Sequence, residues 1–118
     1  MDVVKQNWLH LTLGTNFDTT KVTNMSQMFK DFAKSSTGMT SLDLGDSFYT
    51  TSVTDMTRMF NGCGQTAMVA LDLGPAFTKI ASANTDFATN CGASGIVIYA
   101  PESIYSNRTS FKLNKTGQ

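Results

Sequence analysis

The feature that most constrains this chain is internal repetition. Three segments, WLHLTLGTNF (8–17), TSLDLGDSF (40–48) and VALDLGPAF (69–77), place Leu11, Leu42 and Leu71 in equivalent positions, then Leu13, Leu44 and Leu73, then Gly14, Gly45 and Gly74, and finally Phe17, Phe48 and Phe77, at offsets of 31 and 29 residues. A second block follows each one. VTNMSQMF (22–29) and VTDMTRMF (53–60) share five of eight positions, and IASANTDF (80–87) is a degenerate third copy. A unit this short cannot bury its apolar face alone, so successive units must stack and share one core.

Each unit reads as two elements. Leu-x-Leu has period two, which sends the leucines to one side of a short strand and Thr12, Asp43 and Asp72 to the other. The glycine behind it marks a sharp turn. In the second block Val22, Met25, Met28, Phe29 and Phe32 recur at steps of three and four, as do Val53, Met56, Met59 and Phe60. That spacing predicts a short helix with its apolar stripe, including all four methionines, in the core. Thr23 and Thr54 are expected as its N-caps, with Asp55 at the positive end. The expected fold is α/β: a short right-handed leucine-rich-repeat-like solenoid, with a narrow parallel sheet on one face and short helices on the other. Its units span about 8–39, 40–68 and 69–95, and 96–118 supplies a closing strand, IVIY (96–99), and a capping segment in which Pro101 opens a last short helix.

These blocks resemble the leucine-rich-repeat-like units of BspA-like bacterial surface proteins, whose repeat of about 26 residues carries the pattern LxSLDLSxFDTSxVTxMxxMFxxC. SLDLGDSFYTTSVTDMTRMFNGC (41–63) follows it nearly position by position, and LTLGTNFDTTKVTNMSQMF (11–29) does so without the terminal Cys. The third unit keeps LDLG, Phe77, Phe87 and Cys91 but loses both methionines. The resemblance covers roughly 8–95. It implies a noncatalytic, adhesion-type module of a cell-surface or secreted protein that engages protein or glycan ligands, including host-derived ones. It brings no catalytic residues and no cofactor.

Composition suits a secreted or surface repeat protein. Nine Lys and Arg balance nine Asp and Glu, and charged residues make up only 15% of the chain, so no global field attracts nucleic acid or acidic membranes. The basic cluster Arg108, Lys112 and Lys115 reads as a solvated cap surface. No apolar run reaches the ~20 residues of a membrane span. Met-Asp-Val-Val-Lys at the start has no signal-peptide character, as expected of a segment of a longer exported protein with an added Met1.

Candidate ligand-binding residues are the outward positions of the sheet: His10, Thr12, Ser41, Asp43, Asp72 and Tyr99, flanked by Ala70 and Val97. His10 is the only histidine and has no triad partners nearby in sequence. Asp43 and Asp72 should be neighbours across the ladder and read as surface carboxylates rather than a metal site. Cys63 and Cys91, 28 residues apart, read as stacked core residues; a disulfide between them is the less favoured alternative. A structural spacer is the competing role, with self-association through an uncapped N-terminal strand edge as its mechanism.

Overall fold

The computed structural model describes residues 10–13, 18–107 and 113–115. Gly14, Phe17, Arg108, Lys112 and the Met1 terminus, which figure in the sequence reading, lie outside these residues. The first strand of each repeat forms where Leu-x-Leu stands: β1 (His10–Thr12), β2 (Ser41–Asp43) and β3 (Ala70–Asp72), joined by β4 (Val97–Ala100) and β5 (Leu113–Lys115). All five pair in parallel in chain order, with Leu11, Leu42, Leu71, Ile98 and Leu113 in one register row. The second leucine of each motif continues the ladder: the Leu13, Leu44 and Leu73 amides donate to the carbonyls of Asp43, Asp72 and Tyr99 at 2.9, 2.9 and 3.0 Å.

Behind the sheet the expected helices are absent; among the described residues the only helix is a 3-10 helix, Glu102–Asn107, after Pro101. The Val-Thr-x-Met blocks instead form ribbons of consecutive turns. In the first repeat, Met28, Lys30, Phe32 and Lys34 donate to carbonyls three residues back, at 3.1–3.2 Å. The alternate amides of Met25, Gln27, Phe29 and Asp31 leave the repeat altogether, donating to the Asp55, Thr57, Met59 and Asn61 carbonyls at 2.8–2.9 Å. The second repeat does the same to the third, from Met56, Arg58, Phe60 and Gly62 to Ala83, Thr85, Phe87 and Thr89 at 2.7–3.0 Å. An α-helix would spend each interior amide on its own turn and leave none for a neighbour. The ribbon divides them evenly.

This division requires left-handed residues at fixed places: Gln27, Asp31 and Ala33 in the first ribbon, Arg58, Gly62 and Gly64 in the second, Asp86, Asn90 and Gly92 in the third. The expected caps act differently too. The Thr54 amide and hydroxyl both bond the Thr23 carbonyl, at 2.7 and 3.2 Å, while Asn24 and Asp55 accept from the amides two residues on, at 2.8 and 2.9 Å. The spacing of the left-handed residues, Arg58 to Asp86, Gly62 to Asn90 and Gly64 to Gly92, aligns the second and third ribbons 28 residues apart. Phe87 therefore takes the place of Met59, not that of Phe60.

The core lies between sheet and ribbons. Leu42, Leu44, Leu71, Leu73, Met25, Met56, Met59, Phe48, Phe60, Phe77 and Phe87 are all buried. Phenylalanines run through it in rows. Phe29 stacks on Phe60 at 5.2 Å, Phe60 meets Phe87 edge-on at 5.4 Å, and Phe48 stacks on Phe77 at 6.0 Å. Met28 departs from the expectation of a buried methionine stripe: it is 40% exposed, whereas its equivalent Met59 is fully buried.

Candidate interaction face

Two register rows flank the leucine row. One aligns His10, Ser41, Ala70 and Val97; the other aligns Thr12, Asp43, Asp72, Tyr99 and Asn114. Parallel pairing in an unbroken register brings these positions side by side from four or five different strands, because neighbouring strands lie about 4.8 Å apart. Thr12 is exposed, and Ser41, Asp43, Ala70, Asp72, Val97 and Tyr99 are half-buried. For His10 the structure gives the backbone register alone.

The two aspartates are held in place by the turns that follow them. Asp43 accepts from the Gly45 amide at 2.8 Å and Asp72 from the Gly74 amide at 2.9 Å. Both glycines have positive φ, 82° and 84°, and a Cβ on Gly74 would run into the Gly45 carbonyl oxygen. The carboxylates are thus part of the turn and also line the face. Burial pushes the Asp72 carboxyl above its ordinary range; the Gly74 amide opposes this, and repulsion from Asp43 and Asp46 adds to it. Each carboxylate has an oxygen committed to a backbone amide. Among the described residues, no group of three or more His, Cys, Asp or Glu is placed to hold a metal ion.

Cys63 and Cys91 fall at equivalent places in adjacent ribbons, both buried and both free thiols. The neighbouring Cys91 thiol, together with burial, pushes the Cys63 thiol well above its usual range. The Gly92 amide donates to the Cys63 carbonyl at 2.7 Å, which locks the two layers together at this point. Sequence reasoning missed a set of hydroxyls that join repeats. Thr19 donates to the Tyr49 carbonyl at 2.6 Å, Ser52 to Thr20 at 3.0 Å and Thr66 to Lys34 at 2.7 Å, while buried Thr50 accepts from the Lys79 amide at 3.0 Å. The signal for them was the threonine-for-charge composition, which only the stacking explains.

The fold is that of a repeat protein, parallel strands in one register backed by ribbons of turns. The family described as "Mycoplasma protein of unknown function, DUF285" matches residues 5–68, more than half of the chain, and the chain belongs to that family. No curated protein and no solved structure matches it. Among the described residues, no helix is long and apolar enough to cross a membrane.

Proposed function

We propose that this chain is a noncatalytic protein-interaction module of a bacterial surface or secreted protein. Its repeats are a lengthened form of the 26-residue BspA-like type, wound as a short right-handed solenoid. The observation that carries the reading is the sheet face. The inward row stays Leu, Leu, Leu, Ile across the repeats, while the outward row changes from Thr12 to Asp43, Asp72 and Tyr99 at matched register. A constant core beneath a varied, aligned surface lets side chains set the partner without altering the fold. The partner class is a protein or glycan ligand, with Tyr99 offering aromatic contact beside the two carboxylates.

The test is a protein-and-glycan array probed with the intact chain, followed by titration of the best ligand. Asp43→Asn combined with Asp72→Asn keeps an acceptor for the Gly45 and Gly74 amides and removes both charges. The pair is expected to weaken binding at least about tenfold, which corresponds to roughly 1.4 kcal/mol, with unfolding at neutral pH no easier than in the parent. Binding unchanged by this pair, by Tyr99→Ala and by Thr12→Lys would remove the face from consideration.

A further inference from the structure

Helices behind the sheet would stand about 8–10 Å apart axis to axis, which is why a disulfide between Cys63 and Cys91 is the less favoured reading of the sequence. The ribbons remove that spacing. They bond directly to one another, and Asn24, Asp55 and Ala83 form parallel bridges across all three. Gly62 and Gly64 of the second ribbon share their left-handed φ with Asn90 and Gly92 of the third, so Cys63 and Cys91, each lying between such a pair, occupy one register position. Bonds between the ribbons bracket them: the Gly62 amide donates to the Thr89 carbonyl at 3.0 Å and the Gly92 amide to the Cys63 carbonyl at 2.7 Å. Hydrogen-bonded parallel neighbours stand about 4.8 Å apart, inside the range of about 4.4–6.8 Å between the Cα atoms of disulfide partners. Both cysteines are turned into the core, 0% and 4% exposed. The same register shows which layer most needs holding. It sets Ala81, Asn84 and Ala88 of the third ribbon in the places of Val53, Met56 and Phe60. The last three are fully buried, whereas Asn84 and Ala88 are only half-buried.

We propose that Cys63 and Cys91 are a built-in cross-linking site, which an external disulfide oxidises to one intramolecular bond that ties the third ribbon to the second. In the folded, reduced chain both thiols are shielded, and burial disfavours the thiolate that must react. The reaction therefore begins when the thinly packed third ribbon opens. The Cys91 thiolate attacks one sulfur of the external disulfide and releases its other half as a thiol. On reclosing, the Cys63 thiolate attacks the Cys91 sulfur and expels the second half. One S–S bond forms and one breaks, two electrons pass to the external disulfide, and the two cysteine protons leave with the two released thiols. The closed ring runs from residue 63 to residue 91 and contains all of β3, so the strand carrying Asp72 is secured along with the ribbon. This inference is independent of any ligand for the sheet face.

The test equilibrates the full chain with mixtures of oxidised and reduced glutathione, in native buffer and in concentrated urea, starting from both the reduced and the oxidised protein. Thiols are counted after denaturation, and peptide mapping by mass spectrometry locates the bond. In native buffer both thiols are expected to disappear together, with a mass loss of about 2 Da and a Cys63–Cys91 peptide from a monomer. The glutathione ratio at half-oxidation should show the bond favoured roughly a hundredfold more in native buffer than in urea, because a bond that fits the fold is stabilised by it. The oxidised chain should melt roughly 10 °C higher than the reduced one, and dithiothreitol should reverse the shift. Cys63→Ala and Cys91→Ala should each lose the redox dependence of Tm. Should either variant fail to fold, the comparison of the parent's own two states decides. Two thiols persisting in native buffer, stable glutathione adducts or disulfide-linked dimers in place of the ring overturn the proposal. So does a bond no more favoured in native buffer than in urea, or one that leaves Tm unchanged or lower.

Discussion

Thr50 illustrates why this chain uses hydroxyls where most proteins use charges. It is fully buried, and its oxygen accepts the Lys79 amide from the next repeat. Layers a strand spacing apart suit a hydroxyl on Cβ, which reaches a neighbouring carbonyl without a long side chain to order. The ion pairs among the described residues are exposed, Lys30–Asp31 at 3.3 Å, Lys34–Asp31 at 3.8 Å and Arg58–Asp86 at 3.9 Å, and all three contribute little. Asp72 is the residue where charge does matter. Its folded pKa lies above the unfolded value of about 3.9, so the folded state binds the proton more tightly. Stability from this group therefore falls as pH rises from the unfolded pKa through the folded one. Asp72→Asn keeps an acceptor for Gly74 and is expected to raise Tm relative to the parent at pH 7. That advantage should shrink as pH falls and vanish below the unfolded pKa, a trend that thermal melts across pH will check.

At the scale of the element, the ribbon explains both what the Val-Thr-x-Met blocks revealed and what they concealed. Steps of three and four put Met25 and Phe29 inward in consecutive turns just as in a helix, so buried positions were legible but the element type was not. The deciding feature is where alternate amides find acceptors, and those acceptors belong to another repeat. The left-handed positions were partly visible: Gly62 and Gly64 mark two of them in the second repeat, but Asp31 and Ala33 fill the same places in the first. Ala33, at φ 53°, holds a conformation that is unfavourable for an L-residue by about 1–2 kcal/mol. Ala33→Gly is therefore expected to stabilise by up to about 1 kcal/mol, after the flexibility it adds to the unfolded chain. Gly64→Ala should destabilise by more than that, because the new Cβ would also meet the Met68 side chain. Chemical denaturation of the two variants measures both signs.

For the whole molecule, the core is shared between layers rather than owned by any repeat. The Phe60 ring lies between Phe29, parallel at 5.2 Å, and Phe87, edge-on at 5.4 Å, so it touches three repeats at once. Phe60→Ala is expected to destabilise by about 3–5 kcal/mol, a large share of the roughly 5–15 kcal/mol typical of a domain. Urea unfolding followed by circular dichroism should show a single transition shifted to lower denaturant, since each layer is stabilised mainly by its neighbours. Loss of the middle repeat alone, with the rest still folded, would contradict a shared core.

Much of this was determined by the sequence alone: the repeat, the parallel Leu row, the inward and outward sides of each strand, and the pairing of Asp43 with Asp72. These follow from side-chain period and from copies close enough in length to stay in register. The tertiary structure decided the rest. It made turn ribbons of expected helices, placed Phe87 in the slot of Met59, brought Cys63 against Cys91, and left Met28 exposed while Met59 is buried. Each of these depends on hydrogen bonds and packing between residues about 30 positions apart, and a pattern read within one repeat carries no record of what the next repeat offers it.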